Sequence, residues 1–117
     1  MDRKTKGRLG EVKVLAYFIE NGYEVYTPFS DCSKYDMIAI KDGVVNRVSV
    51  KYSGAQAPSG KWIVGLVQTS RRNNGEIKET KFNKDQYDIV AVYIGPEDRV
   101  ELISASEIPG KTAIYVK

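Results

Sequence analysis

The chain has 117 residues, of which 42% are hydrophobic and 28% charged, with a formal net charge of +3 and no histidine. A single domain over 1–117 is expected, long enough to bury a core without disulfides or metal staples. The missing histidine excludes His-based triads, His-ligated metals and the commonest general base. The one cysteine, Cys32, excludes an internal disulfide or a zinc cluster.

Catalysis, if present, falls to carboxylates, lysine, hydroxyls or a hard metal held by oxygen. No apolar run approaches a membrane span, and the charged N-terminus lacks a following apolar signal region. A cytoplasmic protein with no membrane partner is therefore expected.

Leu9, Val12, Leu15, Ala16 and Ile19 recur at helical spacing, and Gly22 is a natural stop. They predict an N-terminal helix with these five as its core-facing stripe. Glu11 lies at the stripe's edge, one turn before Leu15, on the boundary between helix and sheet. Taken alone, such a glutamate reads as a solvated charge paired with Lys13 or Arg8. Residues 21–28 alternate and predict a strand ending at Pro28. A polar loop follows over 29–34.

Residues 35–52 hold two alternating runs around Asp42-Gly43, the pattern of a β-hairpin. Residues 37–40 are apolar on both faces, which predicts a central strand. In the second run Val48 and Val50 share one face, while Arg47, Ser49 and Lys51 share the other. A connection of small residues spans 53–61, and 62–69 reads as a strand. Residues 70–81 carry a basic cluster and an Asn-Gly turn. Residues 89–94 are apolar on both faces, a buried strand. A turn at 95–98, a strand at 100–103, a short helical turn at 104–108 and an edge strand at 112–116 complete the chain. One helix followed mostly by strands predicts an α+β, sandwich-like fold, with the helix packed on a central mixed sheet.

Asp36 opens the first hairpin strand and Lys51 closes the second, so an antiparallel hairpin sets them side by side. The bland reading is a surface ion pair of little energetic worth. The chemical reading is phosphodiester hydrolysis. That reaction needs an activated water, a phosphate tolerated near carboxylates and a stabilised leaving oxygen. Mg²⁺ supplies most of this from a few carboxylate or carbonyl oxygens. In such a site Asp36, Glu11 and the Val50 carbonyl hold the metal. Lys51 polarises the attacking water or neutralises charge on the phosphate.

Gly10-Glu11, Tyr35-Asp36 and Ser49-Val50-Lys51 together resemble the PD-(D/E)XK nuclease superfamily. Its pattern is a helix glutamate, an aspartate opening a central hairpin, and acid-X-Lys at the end of the next strand. The chain is most similar to the small intron-encoded homing endonucleases of cyanobacterial type within it. Shared features are the K-G-x-x-G-E helix start, G-Y-E-V, R-V-x-V-K, T-S-R-R and D-I-V-A-V-Y, across most of residues 6–94. It is also similar to archaeal-type Holliday junction resolvases. The resemblance implies a restriction-endonuclease-like core, double-stranded DNA as substrate, and Mg²⁺ with Mn²⁺ as its substitute. Ser49 departs from the pattern, standing where the superfamily has an acid or glutamine. Its hydroxyl would touch the metal or its water, and Gln68 on the next strand is the candidate substitute ligand.

Two basic groups suit DNA although the net charge is small. Lys4, Lys6 and Arg8, ahead of the helix, are expected phosphate anchors. Arg71, Arg72, Asn73, Asn74 and Lys78 are expected to meet phosphates or base edges. Tyr52, Ser53 and Gln56 leave the active strand and are expected to touch the DNA backbone. A double-strand cut needs two sites, so a homodimer or homotetramer is expected, with 89–94 and the C-terminal segment as interface elements. Three readings follow: a sequence-specific homing endonuclease, a junction resolvase, and a catalytically weak or inactive DNA-binding module.

Overall fold

Helix α1 (Arg3–Glu20) opens the chain, capped by Asp2, whose side chain accepts the Thr5 amide at 2.7 Å. The computed structural model describes every residue except Asp31, Arg72, Asn73 and Lys111, and only the backbone of Gln68–Arg71. Because α1 begins at Arg3, Lys4, Lys6 and Arg8 lie in its first two turns rather than ahead of it. The buried line of α1 is Gly10, Val14 and Phe18. Of the predicted stripe, Val12, Ala16 and Ile19 turn outward, Val12 57% and Ile19 59% exposed, whereas Leu15 packs against the core beside the buried line and Leu9 is half-buried. The core line escaped the pattern because one of its members is a glycine, which carries no hydrophobic signal. A Cβ at Gly10 would lie 3.7 Å from Val50 Cγ1 and 3.8 Å from the Cβ atoms of Tyr52 and Tyr93. The helix therefore rides close over two strands.

The strands in chain order are β1 (Glu24–Tyr26), β2 (Met37–Lys41), β3 (Val44–Ser53), β4 (Trp62–Gly65), β5 (Gln68–Arg71), β6 (Ile77–Thr80), β7 (Ile89–Ile94), β8 (Arg99–Ser104) and β9 (Ala113–Val116). The main sheet has the order β1-β2-β3-β7-β8. Only β3 and β7 run parallel; the other pairs are antiparallel. The β2–β3 hairpin turns through Asp42 and Gly43, both at positive φ. That backbone matches the strand twist and is easiest for glycine and aspartate. The register runs from Lys41↔Val44 to Met37↔Val48.

Two cores lie on the two faces of this sheet. Val14 and Phe18 of α1 pack on Met37, Ala39, Val48 and Ala91. On the other face Val90, Val92 and Ile94 meet Trp62, Val64 and Ile114 of β4 and β9, which form a separate two-stranded sheet. Two expectations are corrected here. The predicted strand over 62–69 is two strands: β4 joins β9, whereas β5 pairs with β6 in a two-stranded ribbon. Residues 89–94 are hydrogen-bonded on both sides and buried from Val90 to Ile94, so β7 has no surface to offer a second subunit.

Candidate active site

The site begins where β2 leaves β3. The Asp36 amide donates to the Val48 carbonyl at 3.0 Å, the last rung between the two segments. The next rung is made by a side chain: Asp36 Oδ2 accepts the Val50 amide at 2.6 Å. Along a strand the N–H and C=O of one residue point to the same side, repeating every second residue. The Val50 carbonyl therefore points, with its amide, into the gap that β2 has vacated. One carboxylate and one main-chain carbonyl thus converge at the fork.

Burial pushes the Asp36 carboxyl above the usual aspartate range, opposed by the Val50 hydrogen bond and the Lys51 charge. Burial pulls the Lys51 ammonium below the usual lysine range, opposed by Asp36. These two sense each other, although the ion pairs of the described residues do not include them. Glu11 is also raised, first by burial of its carboxyl and then by the negative charge of Asp36, with Arg8 acting the other way. Glu11 and Asp36 therefore repel each other across a shared space, and a cation between them relieves that repulsion. The space is a cleft of about 410 Å³ whose lining includes Arg8, Glu11, Leu15, Thr27, Tyr35 and Asp36.

Two supports were not singled out in the sequence. Tyr87 donates its hydroxyl to the Lys34 carbonyl at 3.0 Å and meets Tyr35 edge-on at 6.0 Å, holding the segment that delivers Asp36. Burial and the Asp36 charge raise its pKa. Asp88 accepts from the amide, Nε and Nη2 of Arg47 at 2.8, 3.0 and 3.2 Å, which ties β3 to the start of β7. Their signal in the sequence is the Gln86-Tyr87-Asp88 run just ahead of the buried strand.

The remaining predicted residues divide by location. Ser49 is 1% exposed, turned with Lys51 toward the face covered by β4 and β9, and is not among the residues lining the cleft. Ser53 is also 1% exposed and spends its hydroxyl on the Ile63 carbonyl at 2.6 Å. Its expected DNA contact is corrected, because β4 covers it. Tyr52 is half-buried, packed edge-on against Tyr93 with Lys6 over its ring. Its hydroxyl lies against Gly95, where a Cβ would come within 2.1 Å of it. Lys4, Lys6 and Arg8 are exposed. Gln56 is exposed and bonded to the Gly60 carbonyl. Asn74 accepts the Glu76 amide at 3.1 Å, and Lys78 is exposed on β6. Arg72 and Asn73 lie outside the described residues, as do the side chains of Gln68 and Arg71.

The available donors are all oxygens: two carboxylates and one carbonyl. Among the described residues no group of three or more His, Cys, Asp or Glu side chains gathers as a metal cage. That set fits Mg²⁺, which keeps several waters and takes one or two carboxylates. It does not suit Zn²⁺, which prefers four nitrogen or sulfur ligands.

A helix glutamate and a strand-opening aspartate beside a strand-end lysine, on a forked mixed sheet, define a nuclease core of the restriction-endonuclease-like kind. The family profile described as PD-(D/E)XK endonuclease matches residues 1–117, and the chain belongs to that family. Protein 5.3 of Escherichia phage T7 is 27% identical over 123 residues, covering 98% of this chain and 91% of the phage protein. The structure of a bacterial homing endonuclease, I-Ssp6803I, shares the fold with a TM-score of 0.82, at 19% identity, over 100% of this chain and 79% of that one.

Proposed function

We propose that this protein is a Mg²⁺-dependent DNA endonuclease of the homing type, a single nuclease domain that makes a sequence-specific double-strand cut as a homodimer or homotetramer. The observation that carries the reading is the fork at Asp36, where the carboxylate takes over the Val50 amide and stands beside the Val50 carbonyl.

Asp36, Glu11 and the Val50 carbonyl would hold the metal. Once bound, Mg²⁺ supplies Lewis acidity at the phosphate and a more acidic water, and Mn²⁺ substitutes for it. Lys51, held close enough to feel Asp36, offers its ammonium to charge developing on the phosphate, or orients the attacking water. Ser49 is a neutral, buried neighbour of this set, and the two carboxylates suffice without it. Lys4, Lys6 and Arg8 lie along the helix that supplies Glu11 and anchor phosphates. The β5–β6 ribbon, with Asn74 and Lys78 exposed on it, is suited to enter a groove, as two-stranded ribbons do. Gln56 contacts the backbone outside the cleft.

Cleavage of a randomised duplex library, run beside a four-way junction of unrelated sequence with Mg²⁺ present, tests the reading. One class of duplex sequence is expected to be cut. Cutting confined to the junction would make the protein a resolvase. Tight binding without cleavage in Mg²⁺ or Mn²⁺ would leave a non-catalytic module.

A further inference from the structure

The cleft beside Asp36 has two unlike walls. Helix α1 gives one, with Arg8, Glu11 and Val12; the segment that leads to Asp36 gives the other, with Pro28, Ser30 and Ser33. At about 410 Å³ the space lies in the range of small-molecule pockets, about 300–1,000 Å³, more than a hydrated ion fills. Phe29 stands at its rim, between Pro28 and Ser30, and is wholly exposed at 108%. The other two phenylalanines, Phe18 and Phe82, are buried. Among the described residues no large hydrophobic side chain is more exposed than Phe29.

A phenylalanine ring presents about 150–250 Å² of surface, and this one meets only water. Its immediate neighbours do not extend it into an apolar patch of the size that marks a protein contact, because Ser30 and Ser33 continue the wall as hydroxyls. Across the cleft stands a cation, Arg8, with Lys4 exposed one turn before it. A cationic wall facing an aromatic ring is the combination that holds an unpaired nucleic-acid strand. The cations take the phosphates, and the ring takes the face of a base, whichever base it is. Inside an intact duplex both faces of a base are already stacked on neighbours. The ring therefore has a partner only where a step is opened.

We propose that Phe29 stacks on a nucleobase unstacked from the duplex beside the phosphate held at Asp36, with Arg8 on the backbone of the same strand across the cleft. The ring opens the step, and the space next to Asp36 takes the nucleotide that it displaces. Opening a step costs least where pairing is already broken. The favoured substrate class is therefore DNA with a mismatched or unpaired base next to the phosphate in the cleft. The place of that phosphate rests on the nuclease reading, whereas the contact between ring and base does not.

Equilibrium binding with Ca²⁺ in place of Mg²⁺ reads the contact without cutting. The probes are two short duplexes of one sequence, one fully paired and one carrying a central mismatch. The wild type is expected to bind the mismatched duplex at least about fivefold more tightly. Phe29→Ala is expected to lose that preference with an unchanged melting temperature, because the ring packs on nothing in the fold. Phe29→Trp is expected to keep it, and its added indole fluorescence to be quenched by the mismatched duplex. Tyr115→Ala, an exposed aromatic on β9, is expected to change nothing. Equal binding of both duplexes by the wild type, a preference that survives Phe29→Ala, or an unquenched Phe29→Trp would each overturn the proposal. So would a Phe29→Ala protein that loses self-association and binds DNA as before, which would make the ring a protein contact. If the preference depends on Phe29 but no duplex is cut when Mg²⁺ is restored, the stacking contact stands and the nuclease reading falls.

Discussion

Asp36 makes two uses of one carboxylate. One oxygen replaces a strand neighbour for Val50, so the fork costs no unsatisfied amide. The other oxygen is the one the proposed site offers to a cation, in a spot where burial already disfavours bare charge. Asp36 and Lys51 were legible because the Asp-Gly turn fixed the hairpin register, and register alone sets which ends meet. Ser49 and Ser53 were legible only as to face. Alternation says which side of β3 they take but not that β4 covers that side, since β4 arrives from a distant segment. Their burial decides what the hydroxyls can do. Ser49→Ala is expected to leave the DNA cleavage rate within about threefold of wild type, a change of under ~1 kcal/mol in barrier. A loss of a hundredfold or more in a single-turnover assay would make Ser49 a metal or water ligand.

At the scale of elements, α1 was found by its period and misread by its face. Two apolar stripes compete on it, and the true one runs through Gly10. Glu11 was nevertheless placed at the boundary with the sheet, because it sits only about 60° round the helix from Val14. Phe18 and Val12 separate the two stripes energetically. Phe18→Ala is expected to cost about 3–5 kcal/mol in chemical denaturation. Val12→Ser, at concentrations too low for association, is expected to cost within ~0.5 kcal/mol. Equal costs would mean that the helix packs by its other face.

The Arg47–Asp88 clamp gives the elements a pH dependence. Arg47 hydrogen bonds hold the Asp88 carboxyl below its ordinary pKa of 3.8. An acid whose folded pKa is depressed contributes stability fully above its unfolded value and loses it as pH falls through the folded one. Both side chains are more than a third exposed, so screening limits the effect of Asp88→Asn to about 1 kcal/mol. Thermal melts should show that gap at pH 7 and a shrinking gap only below the ordinary aspartate range. A gap that widens in acid would contradict the assignment.

Across the whole molecule, the order β1-β2-β3-β7-β8 splits the labour. The cleft beside α1 carries Glu11 and Asp36 of the proposed site, while Lys51 lies on the β4–β9 side of β3. The β4–β9 face is closed by apolar packing, and the β5–β6 ribbon projects with every described side chain of β6 exposed. Most strands, the hairpin turn and the α+β class follow from local period and turn residues, whereas β6 lies inside the basic segment 70–81, where no strand was expected. The parallel β3–β7 pairing and the split of 62–69 into two sheets do not follow, because both are long-range pairings that no local pattern encodes. For the same reason 89–94 reads as a buried strand without revealing that β3 and β8 flank it on both sides, which is why it was also expected at a subunit interface. Lys78 on the exposed ribbon offers a test at this scale. Lys78→Ala is expected to weaken DNA binding similarly across sequences and to reduce the slope of log K against log salt by about 1. An unchanged slope would take Lys78, and the ribbon face that carries it, out of the DNA interface.

The most direct measurement of the central claim is a cleavage time course with Mg²⁺ on a duplex the wild type cuts, repeated with Asp36→Asn. The asparagine carbonyl still accepts the Val50 amide, so circular dichroism and melting should show the fork intact. The expected result is Mg²⁺-dependent cutting by the wild type, abolished by a chelator, and a loss of at least about a hundredfold in the variant. Cutting at the wild-type rate by a folded Asp36→Asn protein would show that the fork is not the catalytic centre.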